Sequence, residues 1–138
     1  MSKEELIRIA YEAQKFSYSP YSGFQVGAAL LAKSGKVYTG CNIENAAFSP
    51  TNCAERTAFF KAVSEGEKEF EAIAIVGNKK DALSEEWEFC TPCGVCRQVM
   101  LEFVNPDAFL VILGKGEEVK TFTLKELLPE SFSSSMVK

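Results

Sequence analysis

Apolar residues recur along the chain at helical spacing in some segments and in short unbroken runs in others. Apolar side chains from Leu6 to Phe16 form one helical stripe after the capping box Ser2-Lys3-Glu4-Glu5, so a first helix is predicted to end near Phe16. Nearly unbroken apolar runs are typical of strands buried on both faces. The predicted strands are residues 25–32, 36–41, 70–76, 108–113 and 119–122, and the later helices are 52–65, a helix from Thr91 to Asn105-Pro106-Asp107, and a short helix from Lys125.

The starts of the second and third helices carry the residues of most chemical interest. Asn52 is the predicted N-cap of the second helix, with Glu55 at its N3 position and Gly66 after its end. Thr91 is the predicted cap of the third helix, with Pro92 in its first turn. The apolar positions predicted to face inward from this helix are Val95, Val99, Met100 and Phe103.

Interleaved strands and helices determine the expected fold class. The order αββαβαβ(β)α predicts an α/β fold, a three-layer α/β/α sandwich around a mixed five-stranded sheet. A chain of 138 residues suits one domain spanning 1–138. We expect its serine-rich end, residues 131–138, to form a flexible C-terminal tail.

Charge and composition narrow the class of partner. Fifteen Lys and Arg residues against 19 Asp and Glu residues give a net charge of -4, which disfavours nucleic acid and acidic lipid as partners. Small-molecule substrates are therefore favoured. The start of the chain carries carboxylates where a signal peptide would carry cations, and its apolar runs are short, so we expect a cytoplasmic protein with no membrane partner.

The chain has five cysteines and no histidine. Because an odd number of thiols cannot all pair internally, they are predicted to be reduced thiols or metal ligands rather than disulfides. The absence of histidine removes the commonest metal ligand and general base. Any zinc site must therefore be built from cysteine and carboxylate side chains.

Two short motifs, Cys53-Ala54-Glu55 and Pro92-Cys93-Gly94-Val95-Cys96, carry the candidate chemistry. Each lies at a predicted helix N-terminus, where unpaired N–H groups favour a thiolate. Zinc held by Cys53, Cys93 and Cys96 would keep its fourth position for water. Glu55 would lie beside the metal, where it can move protons between that water and a substrate nitrogen. This layout is the known signature of zinc deaminases, including their all-cysteine variant.

With these residues in view, the chain resembles the homotetrameric, zinc-dependent cytidine deaminases of the all-cysteine ligand type over almost its whole length. Four motifs in order are far more specific than one. The stretches that carry the resemblance are Gly23-Phe24-Gln25-Val26-Gly27-Ala28-Ala29, Gly40-Cys41-Asn42-Ile43-Glu44-Asn45-Ala46-Ala47, Cys53-Ala54-Glu55-Arg56-Thr57-Ala58 and Pro92-Cys93-Gly94-Val95-Cys96-Arg97-Gln98.

The resemblance implies a role for each residue of a nucleoside site. Phe24 would pack against the pyrimidine, while Asn42 and Glu44 would hydrogen-bond the ribose hydroxyls. The backbone N–H of Ala54 would bind the base carbonyl. Phe132, in the segment Leu127 to Phe132, would reach the site of a neighbouring subunit, so that a homotetramer would complete the active site.

Arg56 directly follows Glu55 and would balance the charge of the zinc site. Three thiolates leave zinc with net negative charge, and a guanidinium bonded to a ligating sulfur would withdraw part of it. The resemblance gives Arg56 this role.

Two features depart from the family pattern. Phe48 stands where relatives often carry tyrosine, and the loop 78–91 looks longer than in compact members. Neither departure touches the metal or the proton shuttle.

The implied activity is that of a hydrolase acting on a cyclic amidine: deamination of free cytidine and deoxycytidine to uridine and deoxyuridine with release of ammonia, a pyrimidine salvage reaction. One alternative is a related deaminase of RNA, DNA, a nucleotide or another aminated heterocycle. A second is a non-catalytic zinc or thiol-redox module. A third is an iron–sulfur centre that includes Cys90, although the usual fourth cysteine of such a run is absent.

Each candidate residue also has a structural alternative. Glu55 could complete a helix cap with Asn52, and Arg56 could pair with a surface carboxylate. Phe24 and Phe132 could be core residues, because aromatic side chains more often pack than recognise ligands. The structural alternative for Asn42 and Glu44 is a polar loop that contacts only water. Cys41 is interpreted as a small residue filling space at a strand end.

Overall fold

Five strands form one mixed sheet in the computed structural model, which describes residues 1–138. The strand order is β2-β1-β3-β4-β5. The predicted α/β class and five-stranded mixed sheet are thus confirmed. The elements are α1 (Lys3–Gln14), β1 (Phe24–Ala32), β2 (Val37–Cys41), α2 (Ala54–Ser64), β3 (Phe70–Lys79), α3 (Gly94–Phe103), β4 (Leu110–Lys115), β5 (Glu118–Thr123) and α4 (Leu124–Leu127).

The pairing of the strands places the start of β1 beside the end of β3. β1 runs antiparallel to both β2 and β3, and the first residue of β1, Phe24, is opposite Lys79 at the end of β3. β3 and β4 are parallel, and β5 returns antiparallel to β4. Ligands of open α/β sheets bind outside the carboxyl ends of the parallel strands. Phe24 lies at that end of β3.

Helices cover both faces of the sheet, so the predicted three-layer sandwich is also confirmed. α1 packs on one face through a core that includes Leu6, Ile7 and Ala10. α2 and α3 pack on the other face around a larger core that includes Phe59 and Met100, both fully buried. None of the helices combines the length and apolar character that crossing a bilayer requires.

Gly40 lets the start of α2 press against β2. A Cβ atom at this position would lie 2.3 Å from the carbonyl oxygen of Ala54 and 2.6 Å from the backbone nitrogen of Ala58. No side chain fits there without moving the helix backbone. The first turn of α2, which carries Glu55 and directly follows Cys53, is therefore held on the sheet.

The predicted end of the first helix is wrong by two residues. α1 ends at Gln14, and Phe16 is 79% exposed instead of contributing to the apolar stripe. The Gln14 side chain donates to the carbonyl oxygen of Gln25 at 2.9 Å and to Oδ1 of Asn78 at 2.7 Å. These bonds fasten the end of the helix to β1 and β3, and the chain then turns away.

Both predicted caps of the later helices are also wrong. Asn52 forms a two-way backbone bridge with Ile43, so it belongs to an extended segment and the helix starts later. Cys53 is the N-cap of α2, and Cys93 takes the place predicted for Thr91, with Pro92 before the helix. Val95, predicted to face inward, is 57% exposed, because it lies in the first turn of α3 away from the core.

Candidate metal centre

Two helices begin with a cysteine in the N-cap position. Cys53 and Cys93 have extended backbone angles, and neither side chain caps its helix. The free N–H groups of each first turn, together with the helix dipole, therefore act on the sulfurs and favour the thiolate form. Cys96 follows in the first turn of α3, on the side that faces the core, and is 1% exposed.

The fold brings the three cysteine sulfurs close together, as the sequence predicted. The sulfur of Cys93 lies 3.8 Å from that of Cys53 and 3.5 Å from that of Cys96, and all three lie within 4.8 Å of one another. In a tetrahedral zinc site with Zn–S bonds of about 2.3 Å, neighbouring sulfurs are about 3.8 Å apart. The spacing of these donor atoms therefore fits zinc.

The contacts among the sulfurs shift their pKa values in opposite directions. The hydrogen bond from Cys96 is the main cause that lowers the pKa of the Cys53 thiol, and Arg56 and Cys93 add to it. The same hydrogen bond, followed by burial, raises the pKa of the Cys96 thiol. Cysteine binds metal in its deprotonated form, which the lowered pKa of Cys53 favours.

Arg56 supplies positive charge to this cluster. Its Nη2 donates to the sulfur of Cys53 at 3.5 Å and to the carbonyl oxygen of Thr51 at 3.4 Å. The bond to Cys53 is the main cause that raises the pKa of Arg56, and the charge of Cys96 acts in the same direction. Its Nε is buried without a partner, which is costly unless a further negative charge lies nearby. A centre of three thiolates would supply that negative charge.

Glu55 is a buried carboxyl group in the first turn of α2. Its side chain is 4% exposed. Burial is the main cause that raises its pKa to about 7, and the negative charge of Cys53 adds to that effect, while its own backbone N–H and Arg56 oppose it. A carboxyl group that gains and loses a proton near neutral pH suits proton transfer. The structural alternative of a cap formed with Asn52 is wrong, because Cys53 is the N-cap and its side chain makes no capping bond.

Asn42 has a structural role that the sequence did not indicate. Its Oδ1 accepts hydrogen bonds from the backbone N–H of Val26 at 2.9 Å and from the Ser17 hydroxyl at 2.5 Å. Its Nδ2 donates to the carbonyl oxygen of Phe24 at 2.8 Å. The amide keeps one N–H for a further acceptor. The alternative that Asn42 contacts only water is therefore wrong, and its predicted ribose bond stays a prediction.

Glu44 is fixed as an ionised acceptor at the protein surface. Its Oε1 accepts from the backbone N–H groups of Tyr21 and Ser22 at 2.9 and 3.1 Å, and its Oε2 accepts from the Ser22 hydroxyl. The Ser22 hydroxyl is the main cause that lowers the pKa of this carboxyl group. Glu44 lines a surface cavity of about 400 Å³ together with Tyr21, Ser22, Phe48 and Thr51.

Gly77 and Cys90 lie next to the Phe24 ring, a contact that the sequence analysis did not predict. A Cβ atom at Gly77 would lie 2.8 Å from the sulfur of Cys90 and 3.1 Å from Cε2 of Phe24. The three residues line one cavity of about 320 Å³ with the loop that ends at Cys90. The only signal in the sequence was the glycine at the end of an apolar strand.

Three further residues that the sequence analysis named are not members of the three-sulfur group. Cys90 is not a member of the three-sulfur group, and burial is the main cause that raises its pKa to about 12. Ala54 is fully buried at the first position of α2, where its N–H has no partner within the helix. Phe132 is 61% exposed, so the alternative that it is a core residue is wrong.

The fold and this cluster together define a thiolate metal centre at the edge of an α/β/α sandwich, with an ionisable carboxyl group beside it. Residues 1–112 match the model of the cytidine and deoxycytidylate deaminase zinc-binding region. The chain therefore belongs to the zinc-binding family of cytidine and deoxycytidylate deaminases.

Individual relatives are similar to this chain over nearly its full length. The chain is 47% identical over 133 residues to a cytidine deaminase of Sporosarcina psychrophila, covering 96% of this chain and 93% of the relative. It is 46% identical over 134 residues to a cytidine deaminase of Halalkalibacterium halodurans, covering 97% and 96%. The crystal structure of a cytidine deaminase from Burkholderia pseudomallei has 43% identity and a TM-score of 0.85, covering 96% of this chain and 100% of that one.

Proposed function

We propose that this protein hydrolyses the exocyclic amine of free cytidine and deoxycytidine, giving uridine, deoxyuridine and ammonia. The observation that carries the proposal is the cluster of three sulfurs at two helix starts with Glu55 buried in the same first turn. Two relatives at 46 and 47% identity that bear the name cytidine deaminase support the substrate class. The reaction is a step of pyrimidine salvage.

Cys53, Cys93 and Cys96 would hold the zinc ion, because their sulfurs lie within 4.8 Å of one another. Zinc, when bound, lowers the pKa of a coordinated water molecule and so supplies a nucleophile near neutral pH. Arg56, bonded to the sulfur of Cys53, offsets part of the negative charge of three thiolates. This positive charge would help a bound zinc ion to acidify its water.

Glu55 would move the protons of the reaction. In its ionised form it accepts a proton from the attacking water, and in its protonated form it delivers that proton to N3 of the ring and a later one to the leaving amine. The burial that raises its pKa to about 7 makes both forms accessible at neutral pH. Water enters and ammonia leaves, so the carboxylate is regenerated at the end of each cycle.

Phe24, Asn42, Glu44 and Ala54 would place the nucleoside. The Phe24 ring packs against the pyrimidine, and its backbone is held by the Asn42 side chain. The remaining N–H of Asn42 and the ionised Glu44 carboxylate bond the ribose hydroxyls. The N–H of Ala54, free of a helical partner, donates to the base carbonyl.

We further propose a cytoplasmic homotetramer in which Phe132 of each chain enters the site of a neighbour. The large exposed fraction of Phe132, 61%, supports a contact beyond the single chain. Exposed aromatic side chains of this size are enriched at protein interfaces. Light scattering of the purified protein gives the assembly mass directly, and a monomer would contradict this part of the proposal.

Side-by-side assays of cytidine, cytidine monophosphate and a cytosine-containing oligonucleotide test the substrate. Turnover of cytidine to uridine and ammonia, lost when the metal is stripped and restored by zinc, is the expected result. The net charge of -4 disfavours the two phosphorylated substrates. Turnover of the oligonucleotide in preference to cytidine would support the related-deaminase alternative, and no turnover of any substrate would support a zinc or redox module.

A further inference from the structure

Two successive side chains of α3 hold the C-terminal segment, defined as residues 127–132. An Arg97 Nη1 N–H donates to the carbonyl oxygen of Leu127. The Gln98 side chain donates to the carbonyl oxygen of Phe132 at 2.8 Å. Both ends of the segment are thus fastened to the helix that begins at Cys93.

The same guanidinium also holds the turn that leads into this helix. Arg97 Nε donates to the carbonyl oxygen of Pro92 at 2.8 Å, and the Arg97 backbone N–H donates to the carbonyl oxygen of Cys93 at 3.0 Å. The Pro92 carbonyl belongs to the peptide plane that joins it to Cys93. Fixing this plane fixes the direction from which the Cys93 side chain leaves the backbone.

We propose that Arg97 is a positioning residue that couples retention of zinc to docking of the C-terminal segment. The proposal rests on the proposed zinc site. Guanidinium is planar and carries donors in a fixed fork, so one side chain can bond Pro92 and Leu127 at once. A lysine has the charge but cannot make two bonds in this fixed arrangement.

Coupling of this kind acts in both directions. If Arg97 must hold its position for tight zinc binding and for docking of the segment, then each event favours the other by the same free energy. Removal of zinc therefore loosens residues 127–132, although that segment contributes none of the three cysteine sulfurs. Removal of the Arg97 guanidinium speeds the release of zinc.

The test compares wild type with Arg97→Met, Arg97→Lys and Arg8→Met, an exposed arginine of α1 that serves as the matched control. Zinc release to a chromogenic chelator and hydrogen exchange of residues 127–132 are measured for each. We expect Arg97→Met to release zinc about 10- to 100-fold faster, because loss of a partner that orients a metal ligand typically lowers metal affinity by that factor. Arg97→Lys should be intermediate, and Arg8→Met should behave as wild type.

In wild type, stripping zinc should speed exchange of residues 127–132, and in Arg97→Met that segment should exchange fast with or without zinc. Zinc release from both Arg97 variants at the wild-type rate, or exchange of the segment that zinc does not change in wild type, would overturn the coupling. Loss of protection of the α1 amides identifies a variant that fails to fold. If Arg97→Met fails in this way, zinc release from Arg97→Lys decides whether the coupling exists. A wild-type protein that holds no zinc would instead refute the proposed function.

Discussion

The sulfur of Cys53 lies 3.8 Å from the sulfur of Cys93, although forty positions separate the two residues in the chain. Two helix starts are brought together by the packing of α2 and α3 on the same face of the sheet. Because each cysteine is the N-cap of its helix, both sulfurs receive the favourable field of a helix N-terminus. The metal centre thus depends on tertiary packing and not on either motif alone.

Replacement of a ligand should separate the metal-binding cysteines from the others. We expect Cys93→Ser to lose most of its zinc, because a serine hydroxyl is not a thiolate. Cys90→Ser should keep one zinc per chain, since Cys90 is outside the three-sulfur group. Zinc and iron are measured by mass spectrometry of the purified proteins. Iron in the wild type that disappears in Cys90→Ser would support an iron–sulfur centre instead.

Gly77→Ala should weaken binding of cytidine more than it slows the chemical step. The added Cβ would lie 2.8 Å from the Cys90 sulfur and 3.1 Å from the Phe24 ring, so one of them must move. Since Phe24 is proposed to contact the pyrimidine in ground state and transition state alike, we expect KM to rise roughly three- to tenfold with little change in kcat.

Gly114→Ala is the matched control for this substitution. Its Cβ would lie 2.7 Å from Cγ2 of Ile7, in the core beneath α1 and away from the sulfur cluster. We expect a lower melting temperature for this variant with KM for cytidine unchanged. Equal shifts of KM in the two variants would show that Gly77 acts only through stability.

Cys90 should react slowly with thiol reagents in the folded protein. Burial raises its pKa to about 12, so at pH 8 only a small fraction is the reactive thiolate. We expect alkylation of Cys90 by iodoacetamide to be at least about a hundredfold slower than in the unfolded chain, where the pKa is about 8.5. The rate should rise as the pH is raised, because more thiolate forms. Mass spectrometry of peptides locates the label, and rapid labelling of Cys90 at pH 8 would contradict the raised pKa of this partly buried thiol.

Phe59→Ala should lower stability by about 3–5 kcal/mol, the usual cost of removing a fully buried phenylalanine. Its ring packs against those of Phe70, Phe103 and Phe109, with centroids 5.1 to 6.0 Å apart. Urea denaturation measures the loss. A change below about 1 kcal/mol would contradict the assignment of Phe59 to the centre of the core.

The sequence predicted the parts of this site that local spacing determines. Cys53 and Glu55 share one helical turn, and Cys93 and Cys96 share another, so their motifs alone identified the metal chemistry. The helix starts were misplaced, because Asn52 is engaged by a backbone bridge to Ile43 that no local pattern indicates.

Contacts between distant segments could not be predicted from spacing. The Asn42 side chain bonds Ser17, 25 positions away, and the backbone of Val26, 16 positions away. Arg97 likewise bonds Leu127, 30 positions away. Neither the loop residue Asn42 nor the helix residue Arg97 carries a sign of such partners in its local sequence. Only the folded chain reveals that these two side chains hold other parts of the site in place.

Replacement of the buried carboxylate provides the most direct measurement. Glu55→Gln keeps the size and polarity of the side chain, but its amide cannot take up and release the proton. It is assayed for bound zinc and for formation of uridine and ammonia from cytidine, with Glu12→Gln in the exposed Lys15 ion pair as control. We predict full zinc content with turnover reduced about 10²- to 10⁴-fold. Wild-type turnover by the zinc-loaded Glu55→Gln protein would contradict the proposed mechanism.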